Sequence, residues 1–274
     1  LFGTTSATIK NLNLNVNIDT DSGEYYDSTT ATLSLGGLAR IATGPISDCT
    51  VSGLVYWNKK AANSNTYVYV GGVVGYAKEG ASFTNVKNEA NVTTTKANNT
   101  TFLGGITAMV GVSGGTTLTT FTNCENSGNI TVEEKNYSTA TNRNSYIGGL
   151  VGHLLKADGE TLESKNRVEL YNWTNKGSIT TKNFAPGLGS GKDGRTILGG
   201  CFGHYTISQF DLNDCDNEGD LNINIAAASH TFIGGIAGFI NQSATIAETT
   251  CSMQNCDNSG AVTVNTVART GTAA

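Results

Sequence analysis

Short runs in which apolar and polar residues alternate follow one another along most of the chain. The run Thr66-Tyr67-Val68-Tyr69-Val70 is typical, and a period of two is the pattern of a β-strand. No segment keeps apolar residues at i, i+3, i+4 and i+7 over three turns, so helices are not predicted. The pattern predicts an all-β protein.

The composition agrees with this prediction. The 274 residues include 34 glycines and 2 prolines, and only 14% of residues are charged. Abundant Thr, Val, Ile and Tyr, interrupted by Gly and Asn, is typical of strands joined by many turns. A helical bundle would need more Ala, Leu, Glu and Lys, and a disordered chain would carry more charge.

Two sequence blocks repeat in the same order along the chain. The first is Gly-Gly-x-x-Gly or a looser form of it, and its copies begin at Gly36, Gly71, Gly104, Gly148, Gly199 and Gly234. The second is typified by NCENSGNI, and its copies occupy 48–55, 85–92, 123–130, 172–179, 214–221 and 255–262. Residues 11–18 look like the end of an earlier copy. Such a period indicates a solenoid, because one repeat has too little apolar surface to fold alone.

Stacked repeats would place each strand about 4.8 Å from its equivalents in the neighbouring coils. The sequence therefore predicts a single parallel β-helix domain over residues 1–274, with about six to seven coils. The recurring glycines predict a corner that needs positive φ or a close backbone approach. The longer spacings at 112–145 and 153–196 predict inserted loops, most clearly at 184–196.

The pair of blocks, GGLVG followed by N-C-x-N-x-G-x-I, resembles the GLUG-motif repeat of bacterial surface proteins, including regions beside immunoglobulin A peptidase domains. The resemblance covers nearly the whole chain. It implies a right-handed parallel β-helix in an exported surface protein, of which these residues would be one part. The zinc motif H-E-x-x-H is absent from the sequence, so the resemblance implies no peptidase activity.

One column of equivalent positions contains all four cysteines of the second block. Its members are Cys49, Val86, Cys124, Trp173, Cys215 and Cys256. Their shared property is apolarity, so we expect the column to face the core, where a free cysteine packs as a small hydrophobe. A disulfide between Cys215 and Cys256, in adjacent coils, is sterically conceivable. Metal binding is not indicated, because the column lacks a C-x-x-C pair.

Asparagine recurs two residues after this column. The positions are Asn88, Asn126, Asn175, Asn217 and Asn258, with Val51 in the first copy. Stacked asparagines can hydrogen-bond along a solenoid as a ladder. Alternatively, each one satisfies only the backbone of its own turn.

His153 and His204 follow the glycine block directly, in a column that also contains Ile41, Tyr76, Met109 and Phe239. Two adjacent imidazoles could act as a proton relay or bind a metal ion. The apolar and aromatic company favours a stack of rings at the corner of the coil.

Acidic residues are densest in DLNDCDNEGD. Asp214, Asp216 and Asp220 are candidate Ca²⁺ ligands in this stretch. Parallel β-helices include pectate-lyase-like enzymes, which combine carboxylates and Ca²⁺ with a basic residue. No basic residue lies in this block or in that of the next coil, so the sequence predicts neither an enzymatic activity nor a required cofactor. The alternative interpretation of this acidic stretch is a solvated turn.

Aromatic residues among polar neighbours could stack on sugar rings. The candidates are Tyr25, Tyr26, Tyr56, Trp57 and Tyr137, of which Tyr56 and Trp57 in VYWNKK are the strongest. Scattered exposed aromatic residues are the alternative.

The formal net charge is −5 and no basic stripe is present, so nucleic acid is not an expected partner. No apolar run reaches the roughly 18–20 residues of a membrane-spanning helix. The leading hypothesis is a non-enzymatic, adhesin-like module on the bacterial cell surface, which binds host or glycan ligands or acts as a stalk. The alternatives are a filament subunit that pairs end to end and a polysaccharide lyase or hydrolase.

Overall fold

The structure is a computed structural model, and it describes fourteen segments of the chain. These are residues 1–20, 32–58, 67–78, 80–94, 100–112, 119–133, 144–156, 167–184, 188–189, 192–193, 195–206, 209–226, 230–240 and 251–267. Every regular element in these segments is a β-strand. The predicted all-β class is confirmed.

All but two of the described strands form three parallel sheets, which we call walls 1, 2 and 3 in the order in which each coil passes through them. Wall 1 consists of Thr32–Gly36, Tyr67–Gly71, Thr100–Gly104, Ser145–Gly148, Arg195–Gly199 and His230–Gly234. Wall 2 consists of Phe2–Thr5, Ala39–Ala42, Val74–Ala77, Thr107–Val112, Val151–Lys156, Phe202–Thr206 and Ala237–Ile240. Wall 3 consists of Ile9–Asp19, Pro45–Trp57, Ser82–Thr94, Thr119–Asn126, Ile130–Glu133, Arg167–Asn175, Ile179–Phe184, Gln209–Asn217, Leu221–Ala226, Cys251–Gln254 and Val262–Val267.

Equivalent residues of successive repeats pair in register. Gly71 lies opposite Gly36 on one side and Gly104 on the other, and Trp173 lies opposite Cys124 and Cys215. The described residues thus form a parallel β-helix of six coils that pass through all three walls, preceded by one coil with strands in walls 2 and 3 only. The predicted architecture and coil number are confirmed.

The two long spacings contain more regular structure than the loops we predicted. Strands of walls 2 and 3 occupy parts of 112–145 and 153–196, because these spacings include the ordinary strands of their coils. Within 184–196, Leu188–Gly189 and Lys192–Asp193 form a two-stranded antiparallel pair. Residues 113–118, 134–143 and 157–166 lie outside the described segments.

The core fills the space between the walls. The cysteine column faces it as predicted: Cys49, Val86, Cys124, Trp173 and Cys215 are buried, and Cys256 in the last coil is half-buried. The largest fully buried side chains include Phe83, Phe121 and Trp173, whose rings contact one another along the helix axis. Burying one such side chain stabilises the fold by about 1.5–3 kcal/mol.

The Gly-Gly pair forms the corner between walls 1 and 2, and close approach is the reason for it. Positive φ among the described glycines is confined to Gly53 and Gly80, so the corner does not use the left-handed region. A Cβ on Gly104 would collide with the carbonyl of Thr107, and one on Gly105 would collide with the carbonyl of Gly149 in the next coil. Only glycine lets the backbones of successive corners stack this closely.

A second backbone constraint precedes the cysteine column. One residue per coil adopts a left-handed conformation with φ of 52–56°, and all are Asn or Asp: Asn11, Asp48, Asn85, Asn123, Asn172, Asp214 and Asn255. These are the two non-glycine residues that best tolerate this region. The strands of wall 3 therefore bend at the same point in every coil.

Candidate functional site

The asparagine ladder is present and lies in the core. Asn88, Asn126, Asn175 and Asn217 each donate an Nδ2 hydrogen to Oδ1 of the next asparagine, and every rung measures 2.7 Å. The same amides also donate to the carbonyl two residues on, at 2.8–2.9 Å. Both interpretations of this column are therefore realised together. The ladder is structural, because its four first members are fully buried.

His153 and His204 stack as predicted, with ring centroids 4.6 Å apart. The stack also contains Tyr146 and Phe102 of wall 1, whose centroids lie 4.7 Å and 5.4 Å from that of His153. Wall 1 and wall 2 thus contribute rings to one aromatic stripe beside the glycine corner, separate from the main core.

The electrostatics of this stripe do not favour proton transfer. His153 Nε2 lies 2.8 Å from Oγ1 of Thr206, but His153 Nδ1 and both nitrogens of His204 have no partner in the described part of the chain. Burial lowers the pKa of His153 well below 6.5, with a contribution from His204. Burial and the charge of Arg195 lower the pKa of His204 to about 4. Both imidazoles are neutral at pH 7 and pack as aromatic rings.

The predicted Ca²⁺ ligands are not gathered into a metal site. Asp214 is one of the left-handed residues of wall 3. Oδ1 of Asp216 accepts a hydrogen bond from the backbone N–H of Asp257 at 3.0 Å. Oδ1 of Asp220 accepts one from the backbone N–H of Ala261 at 2.9 Å. No group of three or more His, Cys, Asp or Glu side chains in the described segments is placed to hold a metal ion. Asp216 and Asp220 thus link one coil to the next.

Of the five aromatic candidates, the structure describes Tyr56 and Trp57. Trp57 is only 5% exposed and belongs to the core, whereas Tyr56 is half-buried. The strand alternation explains this difference, because Val55 and Trp57 face inward and Tyr56 between them faces outward. Tyr25, Tyr26 and Tyr137 lie outside the described segments. Tyr56 alone of the five candidates stands on a described outer face.

A shallow groove of ≈ 360 Å³ lies near the N-terminal end of wall 3. Its lining residues are Asn13, Leu14, Asn15, Thr50, Ser52 and Glu89. They form two neighbouring columns, because Asn13 pairs with Thr50, and Asn15 pairs with Ser52, which in turn pairs with Glu89. We call this the wall 3 groove. In the sequence, the only indication of this groove is the alternation of polar and apolar residues in Asn13-Leu14-Asn15.

Charged side chains border the groove on one side. Lys87 Nζ lies 3.0 Å from Oε1 of Glu89 and 3.3 Å from Oε1 of Glu125. Lys176 Nζ lies 2.7 Å from Oε2 of Glu125, so positive and negative groups alternate from coil to coil. The single carboxylate of the lining, Glu89, is thus ion-paired.

The groove offers hydrogen bonds to a ligand rather than a reactive group. Asn13 and Asn15 carry both donors and acceptors, and Thr50 adds a hydroxyl. The hydroxyl of Ser52 donates to the carbonyl of Leu14 at 3.1 Å, which fixes its orientation. Neither a thiol nor an imidazole is among the lining residues.

Comparisons with known proteins gave no match to a family model, to a curated protein or to a solved structure. Within the described segments, no helix has the length and apolar character needed to cross a bilayer.

Proposed function

We propose that this chain is a non-enzymatic, extracellular β-helix module of a bacterial cell surface, and that it binds a neutral glycan through the wall 3 groove and Tyr56. The observation that carries the proposal is the lining of the groove, where two asparagines and two hydroxyl residues lie side by side on a rigid sheet. The resemblance to GLUG-motif surface repeats supports the location.

The chemistry of the lining favours a sugar over other ligands. Hydroxyl groups of a sugar both donate and accept hydrogen bonds, and the amides of Asn13 and Asn15 can match either role. Tyr56 lies four residues beyond Ser52 on the same face of the strand, between Asp19 and Thr93. Its ring could cover one face of a pyranose.

The charges argue for a neutral ligand. The protein carries a net charge of −5, and Glu89 stands in the lining. An acidic polysaccharide would be repelled by the net charge, whereas Lys87 offsets the charge of Glu89. The same ion-paired carboxylate gives no support to a polysaccharide lyase or hydrolase, because Lys87 and Glu89 neutralise each other.

A glycan array tests the proposal, with wild-type protein beside the double variant Asn15→Ala/Tyr56→Ala. The matched control is Asn222→Ala/Asn265→Ala, which removes two exposed asparagines of wall 3 near its other end. We expect neutral glycans to bind the wild type and the control, and the groove variant to lose at least about tenfold in affinity, equivalent to about 1.4 kcal/mol. Binding that survives in the groove variant, or no binding by the wild type, would contradict the proposal.

End-to-end assembly is the second candidate, and a specific feature favours it. Four apolar side chains of the last described coil are 42–48% exposed: Ile240, Met253, Val262 and Val264. Each occupies a column that is buried one coil earlier, since they pair with Tyr205, Leu212, Leu221 and Ile223. Exposed apolar side chains along a sheet edge can pack against a second copy.

The asparagine column weighs against head-to-tail stacking of identical copies. Asn258 continues the ladder to the last coil, whereas Leu14 and Val51 occupy this column in the first two. In such a stack the amide of Asn258 would meet the aliphatic side chain of Leu14, at the cost of an unsatisfied donor. Sedimentation velocity over a hundredfold concentration range decides between a single species and growing assemblies.

A further inference from the structure

Three cysteines surround the end of the core in the last two described coils. Cys215 belongs to the cysteine column, and Cys256 is its equivalent one coil later. Cys201 enters from the start of wall 2 and donates from Sγ to the carbonyl of Asp216 at 3.2 Å. The glycan proposal makes no use of these thiols.

The sheet register sets Cys215 and Cys256 directly opposite each other. Asn213 pairs with Gln254 on one side of them, and Asn217 pairs with Asn258 on the other. Neighbouring parallel strands lie about 4.8 Å apart, within the Cα separation of about 4.4–6.8 Å that a disulfide requires. Both side chains point toward the core, so a disulfide requires their Cβ atoms to approach to about 3.5–4.5 Å.

The two thiols differ in access to solvent. Cys215 is fully buried, whereas Cys256 is half-buried. The other described thiols, Cys49, Cys124 and Cys201, are all buried. Cys256 is therefore the described thiol that a dissolved reagent reaches first.

Their acidities differ in the same direction. A hydrogen bond from the Cys215 thiol lowers the pKa of Cys256 to about 7. The same interaction, together with burial, raises the pKa of Cys215. The lowered pKa favours the thiolate of Cys256, and the thiolate is the nucleophilic form.

We propose that Cys215 and Cys256 form a reversible disulfide that joins the last two described coils. The oxidant is a small-molecule disulfide such as oxidised glutathione. The Cys256 thiolate attacks one of its sulfurs, forms a mixed disulfide and releases one glutathione thiolate. Cys215 then attacks Sγ of Cys256, its proton passes to the departing sulfur and a second glutathione leaves. Two protein thiols and one oxidised glutathione thus become one protein disulfide and two reduced glutathiones.

This bond would fasten the last described coil to the coil before it. The last coil exposes apolar side chains that are buried in the coil before it, and its contact with that coil rests on one sheet edge per wall. A covalent link beside the Asn217–Asn258 rung would hold this coil in register, because it limits the opening of the edge.

The test is oxidation of the full chain with oxidised glutathione, followed by alkylation of the remaining thiols and digestion after glutamate. Cleavage after Glu218 and Glu248 places Cys201 and Cys215 on one peptide, and Cys251 and Cys256 on another. We expect a linked pair of peptides whose tandem mass spectrum assigns Cys215 to Cys256. Dithiothreitol should reverse it, and the oxidised form should melt about 5 °C higher than the reduced form.

Three single variants identify the two cysteines that form the disulfide. Cys215→Ser and Cys256→Ser should abolish the linked pair, and Cys256→Ser should also abolish the mixed disulfide with glutathione. Cys201→Ser should retain the link. A link that survives in Cys215→Ser, a link from Cys201, or a glutathione adduct on Cys256 that Cys215 never displaces would each overturn the proposal.

Discussion

The side chain of Asn126 occupies the space in which a side chain on Gly105 would begin. A Cβ on Gly105 would collide with Cγ and Oδ1 of Asn126. The same relationship joins Gly72 to Asn88, Gly149 to Asn175 and Gly200 to Asn217. The two blocks of the sequence repeat are therefore two halves of one structural unit, because the corner glycine makes room for the ladder amide.

Replacement of Gly105 by Ala should lower the free energy of unfolding by about 3 kcal/mol, because a rigid corner cannot move away from the new methyl group. Urea denaturation measures the change. Gly3→Ala is the matched control, since no atom lies within 4 Å of a Cβ at that position. If Gly105→Ala is as stable as Gly3→Ala, the close contact between the glycine corner and the asparagine ladder does not contribute to stability.

Asn126→Ala should destabilise the protein by about 3–5 kcal/mol. Asn126 donates to Asn175 and to the carbonyl of Gly128, and accepts from Asn88. Its loss leaves these buried groups without their partner, at about 1–3 kcal/mol for each. Asn222→Ala, at an exposed position of wall 3, should change the free energy of unfolding by less than about 0.5 kcal/mol. A small effect at Asn126, measured in the same urea titration, would mean that water replaces the ladder.

The fold could be predicted from the sequence because equivalent positions of the repeats can be compared with one another. Cys, Val and Trp at one position share only apolarity, and this alone placed the column of Cys124 in the core. Asn at five successive positions indicated the ladder in the same way. In-register stacking turns such columns into contacts, so a pattern along the chain becomes a pattern along the helix axis.

The features that the sequence missed depend on where the chain bends. Trp57 was grouped with Tyr56, although strand alternation sends the two side chains to opposite faces. The acidic stretch alone does not show that Asp214 stands at a position with positive φ, which Asn or Asp occupies in every coil. The contact of Tyr146 with His153 requires walls 1 and 2 to meet at the glycine corner, and no local pattern contains that information.

Stability should fall as the pH drops below about 6.5, the usual histidine pKa, because His153 and His204 are held neutral in the folded state. Their folded-state pKa values are lowered, that of His204 to about 4. The unfolded chain therefore takes up protons first, and the stabilising contribution is complete above pH 6.5 and is lost toward pH 4. Free energies of unfolding at pH 7.5 and pH 5 measure the effect.

The double variant His153→Phe/His204→Phe separates this effect from the titration of carboxylates. Phenylalanine keeps an aromatic ring in each position and removes the titrating group, so the variant should lose less stability than the wild type between pH 7.5 and pH 5. If the two proteins lose the same amount, the histidines do not carry the pH dependence.

Cys124→Asp should destabilise the protein by about 4 kcal/mol, because it places an unpaired carboxylate in the core. Cys124 is 2% exposed, and burial already raises the pKa of its thiol to about 12. Cys124→Val is the matched control, since Val86 fills the equivalent position one coil earlier, and it should cost less than about 1.5 kcal/mol. Thermal and urea unfolding of both variants give the comparison. A change within experimental error for the aspartate variant would mean that water reaches this column, and the buried cysteine column that underlies the disulfide proposal would then lose its main support.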